Sequence, residues 1–316
     1  MSKQPSFEQL DQAIDAMFSH PDAVAQPLDQ EVGTLLSIAG DLCALPRSSF
    51  KANLKAELER KAIMMSTETA VSPAVIRTIT PYLLPDNLEF LDFLKRAFNA
   101  EETFRAEAGP GRAHAEVKIG DSMLMVGVGA ERKMPATLEL YVPNVDEVYD
   151  RAIKAGCTVL DAVEDAHWEP LRLGSVKDPA GNSWVIATRL QGSYIPEGRH
   201  SITMSFVVKG GSRFVEFLKQ AYDAEEIRRH EWPTGLYASL KIGDSVVGVS
   251  ESENHAWMQP QTALINMRVP NCDEQYARAL RAGAKALTPV ENQPYGVRAG
   301  AVEDLWGNQW YITTPL

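Results

Sequence analysis

The sequence predicts an α+β fold in which one unit of βαβββ modules is written twice behind a small all-helical segment. Three observations predict it: a tandem repeat at the spacing of one ordinary domain, a switch between helical and strand hydrophobic periods inside each repeat, and a first seventy residues that carry only helical spacing.

The repeat is direct. Phe90-Leu-Asp-Phe-Leu-Lys-Arg-Ala-Phe-Asn-Ala-Glu-Glu102 returns as Phe214-Val-Glu-Phe-Leu-Lys-Gln-Ala-Tyr-Asp-Ala-Glu-Glu226. Lys118-Ile-Gly-Asp-Ser122 returns as Lys241-Ile-Gly-Asp-Ser245, and Val142-Pro-Asn144 as Val269-Pro-Asn271. Near the end of each copy, Asp178-Pro-Ala-Gly-Asn-Ser-Trp184 matches Asp304-Leu-Trp-Gly-Asn-Gln-Trp310. The expected organisation is a helical segment over 1–70, a first unit over 71–190 and a second over 191–316.

Within the first unit, Phe90, Leu91, Phe93, Leu94, Ala97 and Phe98 form an apolar stripe at helical spacing, which predicts a helix with one buried face over 86–98. His114-Ala-Glu-Val-Lys-Ile119 alternates strictly, which predicts a strand ended by Gly120-Asp121, with Met123–Val126 next. Thr137 to Val142 alternates again. Asp146 to Ala155 returns to helical spacing before Gly156, and strands around 158–160, 173–176 and 184–188 complete the unit.

Before the repeats, Ser6-Phe-Glu-Gln9 reads as a capping box opening a helix that stops at His20-Pro21. Further helices are expected over 29–42 and 49–64, the last locally basic through Arg47, Lys51, Lys55, Arg60 and Lys61. Three short amphipathic helices bury little alone, so residues 1–64 are expected to bundle or to mediate self-association or contact with a protein partner. Met65-Ser-Thr-Glu-Thr-Ala70 reads as polar chain before the first strand.

Composition narrows the function classes. With 31 Lys and Arg against 42 Asp and Glu, the formal charge of −11 opposes a nucleic-acid partner. No apolar run is long enough to span a bilayer, and the polar, acidic N-terminus does not read as a signal peptide, so no membrane association and a cytoplasmic location are expected. Cys43, Cys157 and Cys272 lack metal-site spacing. No phosphate-loop or dinucleotide fingerprint occurs, and no cofactor is expected.

The order of these elements, with Asp178-Pro-Ala-Gly-Asn-Ser-Trp184 before a final strand, resembles the vicinal-oxygen-chelate superfamily of glyoxalase I, bleomycin-resistance proteins and extradiol dioxygenases. Ile79-Thr-Pro-Tyr-Leu-Leu84, His114-Ala-Glu116 and Tyr295-Gly-Val-Arg298 resemble its demethylubiquinone-methyltransferase-like branch. The resemblance implies two cupped, barrel-like glyoxalase-type units, with one chain acting as its own pseudo-dimer. It also implies metal-ligand positions on the first, fourth, fifth and eighth strands. These fall at Ile79, Met125, Thr137 and Ile186 in the first copy, and at Thr203, Gly248, Leu264 and Ile312 in the second. None is His, Asp or Glu, so no metal is expected and classical glyoxalase or dioxygenase activity is disfavoured.

Other polar residues remain. If the apolar strand faces pack on helices, His114, Glu116, Glu139 and Tyr141 project into a first cavity, with Glu139 expected near the His114–Glu116 pair. A His beside carboxylates can serve as general acid and base, or these can be solvated strand residues. The second copy offers Tyr237, Ser239 and Asn266, which hydrogen-bond but cannot supply that chemistry. Arg172 and Arg298 stand at equal places before the terminal turns. With Arg268 they could clamp an anionic ligand, or they could serve as structure. Trp168 and Tyr295 are expected to line a pocket.

The leading expectation is a metal-independent small-molecule-binding protein of the glyoxalase/bleomycin-resistance type, acting in sequestration or resistance. A lyase, isomerase or hydrolase using His114 with Glu116 or Glu139 is the first alternative. A regulatory or scaffold role through the N-terminal helices is the second.

Overall fold

Four βαβββ modules follow one another along the chain. The first holds β1 (Ile79–Leu83), α1 (Glu89–Phe98), β2 (Glu101–Glu107), β3 (Ala113–Ile119) and β4 (Ser122–Val128). The second holds β5 (Thr137–Tyr141), α2 (Val145–Ala155), β6 (Thr158–Asp165), β7 (Leu171–Lys177) and β8 (Ser183–Arg189). The third holds β9 (Ile202–Val207), α3 (Gly211–Tyr222), β10 (Glu225–Trp232), β11 (Gly235–Ile242) and β12 (Ser245–Glu251). The fourth holds β13 (Leu264–Arg268), α4 (Cys272–Arg281), β14 (Lys285–Gln293), β15 (Val297–Glu303) and β16 (Gln309–Pro315). The structure is a computed structural model that describes residues 76–107, 109–166, 169–233, 235–251 and 259–316. The expected N-terminal helices, the boundary at residue 70 and Trp168 lie outside the described residues.

The modules pair across the repeat. One eight-stranded sheet, sheet A, runs β14-β15-β16-β13-β1-β4-β3-β2, joining the first module to the fourth. The other, sheet B, runs β10-β11-β12-β9-β5-β8-β7-β6, joining the second to the third. The seams are the antiparallel pairs β1 with β13 and β5 with β9. Each sheet therefore takes four strands from each copy. The helices keep to their own copy: Arg151 on α2 donates to the Ala97 carbonyl of α1 at 2.8 Å, and Arg278 on α4 to the Gln220 carbonyl of α3 at 2.7 Å.

The repeated motifs each hold a join. In Lys-Ile-Gly-Asp-Ser, the Ser122 hydroxyl accepts from the Ile202 amide at 2.9 Å, and the Ser245 hydroxyl from the Ile79 amide at 3.0 Å. Each copy thus caps the first strand of the other. In Val-Pro-Asn, Asn144 and Asn271 are the N-caps of α2 and α4, accepting from Glu147 and Glu274 amides. In the last motif, Asp178 is buried and accepts from two backbone amides, from Asn182 Nδ2 and from Trp184 Nε1 at 2.9 Å. Asp304 does the same for Trp310 at 3.0 Å. Both indoles are fully buried and lie against an aromatic ring of their own copy, Phe98 at 4.4 Å and Tyr222 at 4.3 Å between ring centroids.

β2 is a strand that hydrophobic period alone does not show. Its sequence, Glu-Glu-Thr-Phe-Arg-Ala-Glu, is polar on both faces because it is an exposed sheet edge. Charge on such an edge discourages pairing with another chain.

Candidate functional site

In each sheet one face packs on helices and the other curls into a cup. In sheet B the cup face is marked by a side chain that bridges distant strands. β5 and β11 stand three strands apart, which in a flat sheet would separate them by roughly 14 Å. One guanidinium, that of Arg199, nevertheless reaches Tyr141 of β5 at 2.9 Å and Ser239 of β11 at 2.8 Å.

Sheet B's cup is filled. Arg199 comes from the segment between β8 and β9, which joins the two copies. Its Nη1 pairs with the Glu139 carboxylate and its Nη2 donates to the Tyr237 hydroxyl. Tyr141 donates to Glu139 at 2.8 Å. Glu139 and Ser239 are 9% and 5% exposed. Burial raises the Tyr141 phenol well above its ordinary range, and the Glu139 charge adds to this. Burial alone would lower the Arg199 pKa, but Glu139 and the two phenols outweigh it and hold the cation firmly protonated. Gly248 makes room for the carboxylate, because a Cβ there would stand 3.0 Å from Glu139 Oε1.

Among the described residues, the cup of sheet A is lined by aromatic side chains. Tyr82 on β1 hydrogen-bonds His114 Nδ1 on β3 at 2.9 Å, and Phe104 on β2 lies against the same imidazole at 6.2 Å between ring centroids. Across the cup the hydroxyls of Tyr295 and Tyr311 hydrogen-bond each other. Phe104 is 49% and Tyr295 65% exposed, and His114 is half-buried. Burial pushes Tyr82 up to about 12, helped by Tyr295. Burial also lowers the His114 pKa, with Glu116 opposing it. At neutral pH both groups are uncharged.

The structure regroups the residues that the sequence singled out. His114, Glu116, Asn266, Arg268 and Tyr295 belong to sheet A, while Glu139, Tyr141, Tyr237 and Ser239 belong to sheet B. The expected meeting of Glu139 with His114 and Glu116 is corrected, because strand pairing carries β5 into the other sheet and Glu139 is spent on Arg199. Arg172 and Arg298 are corrected as ligand clamps. Arg172 forks onto Asp146 of α2 at 2.7 and 2.8 Å and reaches Asp165. Arg298 forks onto Asp273 of α4 at 2.6 Å and reaches Asn292. Both hold an acidic helix start on the helix side of a sheet.

The metal positions shift as well. Ile79, Ile186 and Ile312 lie in the hydrophobic core, so the cup-facing neighbours are Thr80, Val185 or Ala187, and Tyr311 or Thr313. With Met125, Leu264 and Asn266, the ligand places of sheet A hold neutral side chains. In sheet B the carboxylate at those places is Glu139. Among the described residues no group of three His, Cys, Asp or Glu converges. These donors do not suit a divalent cation.

No family model matches the chain. Uncharacterised proteins of Mycobacterium bovis and Mycobacterium tuberculosis are 33% identical to it over 124 residues, which is 34% of this chain and 79% and 71% of theirs. The chain belongs to one family with them. Glyoxalase I from Zea mays superposes with a TM-score of 0.58 over 75% of this chain and 92% of its own, at 10% identity. This is the vicinal-oxygen-chelate fold. In it the chain supplies both halves of each cup, as a pseudo-dimer. No described helix is long and apolar enough to cross a membrane.

Arg199, Tyr82, Tyr311 and Phe104 were not among the expected site residues. Tyr82 lay within the quoted first strand, where alternation from Thr80 would have placed it in a cup. Arg199 had one weak signal: aligning Ile79 with Ile202 sets it against Ile76, a break in the repeat.

Proposed function

We propose that the cup of sheet A binds a small, uncharged organic molecule carrying an aromatic ring, in sequestration or resistance, without a metal ion. One observation carries the reading: among the described residues this cup is walled by the partly or fully exposed rings of Tyr82, Phe104, His114, Tyr295 and Tyr311, whereas Arg199 occupies its twin. Aromatic rings and Met125 offer dispersion and edge contacts to a planar ligand, and buried Asn266 can fix its orientation by hydrogen bonding. A cytoplasmic location fits such a role. Equilibrium dialysis of the full chain against a panel of aromatic metabolites and antibiotics tests it, paired with metal analysis. Saturable binding by metal-free protein is expected. Absence of any ligand, or binding only with a stoichiometric metal, would overturn it.

The Tyr82–His114 hydrogen bond favours one second reading, a lyase, isomerase or hydrolase. Neutral His114 would act as base, with Glu116 on the same face of β3. Turnover that is lost in His114→Gln while ligand binding persists would select it.

A further inference from the structure

We propose that sheet B carries a recognition site for a guanidinium or amidinium group, which Arg199 occupies from within the same chain. The argument starts from acceptors. Around one point converge the Glu139 carboxylate, the Tyr141 and Tyr237 phenol oxygens and the Ser239 hydroxyl, drawn from two strands of different copies. A carboxylate ringed by hydroxyl oxygens that engage both terminal nitrogens of one guanidinium suits a forked, multiply donating cation better than a spherical ammonium.

The segment that delivers the cation is itself fitted to the cup. Tyr194 and Ile195 pack on Tyr141, Leu171 and Ala187. Pro196 to Arg199 then forms a turn closed by the Arg199 amide on the Pro196 carbonyl at 3.1 Å. Gly198 supplies its φ of 76°, which a side chain would resist. The site also has unused capacity. The hydroxyls of Thr137, Ser205 and Ser250 are buried at 2%, 2% and 0% exposure and have no hydrogen-bond partner. Strand register puts all three on the Glu139 face, Thr137 opposite Ser205 and Ser205 beside Gly248. Buried unpaired hydroxyls are costly, so polar capacity is retained here beyond what Arg199 uses. Among the described residues the repeat gives sheet A no matching guanidinium, since the residue aligned with Arg199 is Ile76.

The test uses the full chain with Arg199→Ala and methylguanidinium as probe, with urea at equal concentration as the neutral isostere. Thermal unfolding is expected to fall in the variant and to recover saturably with millimolar methylguanidinium but not with urea. The wild type, already filled, is expected not to recover in that range. Adding Glu139→Gln to Arg199→Ala is expected to abolish the saturable recovery. An equal response in wild type and variant, or recovery that survives loss of Glu139, would overturn the proposal. If Arg199→Ala does not fold unaided, refolding from urea with and without methylguanidinium replaces melting. A higher folded yield with the probe supports the site, and an unchanged yield overturns it.

Discussion

The two cups are built from the same modules and end in opposite states. In sheet A, His114 and Glu116 of β3 face Asn266 and Arg268 of β13. In sheet B the matching places hold Tyr237, Ser239, Glu139 and Tyr141, and a guanidinium from the connecting segment ties them together. The difference teaches that duplication frees one copy of a pocket to become structure. Sheet B turned its polar lining into a buried ion pair that stitches the second and third modules. Among the described residues, sheet A kept its aromatic lining partly exposed, with no such ion pair across it.

The largest effect should come from the filled cup. Glu139→Gln leaves a buried guanidinium without its counter-charge, so a loss of about 3–5 kcal/mol is expected in urea unfolding, with much of it recovered in the Glu139→Gln, Arg199→Met double variant. His114→Gln in the cup of sheet A should cost less than about 1 kcal/mol. Equal losses would remove the contrast.

Next come two glycines at non-equivalent places of the repeat, Gly248 on β12 and Gly127 on β4. Ala at Gly248 would press Cβ to 3.0 Å from Ser205 Oγ and from Glu139 Oε1, which Arg199 and Tyr141 hold in place, at a cost of about 1–3 kcal/mol. Ala at Gly127 would meet the Tyr82 ring at 2.7 Å, a closer approach, yet that ring is held by a single hydrogen bond to His114 rather than by an ion pair. Melting temperatures should therefore drop more for Gly248→Ala. The reverse order would mean that the cup of sheet A is the tighter one.

A smaller effect concerns affinity. For any aromatic ligand found by dialysis, calorimetry should give one site per chain. Asn266→Ala should weaken it about tenfold, close to one lost hydrogen bond, while Ser250→Ala in sheet B leaves it unchanged. Two sites per chain would break the comparison.

The smallest effect is the pH dependence of His114. Burial lowers its folded pKa below the ordinary 6.5, so below that pH the unfolded chain binds more protons than the folded one. Stability should fall as pH drops from about 6.5 toward the folded pKa, and His114→Gln should flatten that limb in urea titrations.

Much of this was legible along the chain. Strict alternation marked β3 and β5, and helical stripes marked α1 and α3, because burial on one face imposes a local period. The candidates His114, Tyr237 and Ser239 were placed on cup faces by that alternation. For Arg172 and Arg298 the sequence left clamp and structural role open, because an Arg beside a turn looks the same whether its carboxylate is a ligand's or an Asp at a nearby helix start. Ile79, Ile186 and Ile312 were set on the wrong face by an alignment slip of one residue, which inverts a strand.

By itself the sequence determined the duplication, the βαβββ order and the buried tryptophans. Those are local patterns, fixed by period and by the chemistry of single side chains. Only the tertiary structure decided that each sheet draws on both copies, that Glu139 and His114 never meet, and that Arg199 enters the cup of sheet B. Backbone hydrogen bonds between strands carry no sequence label. Which strand edges meet is therefore settled by packing of the whole chain, and that pairing decides which side chains share a site.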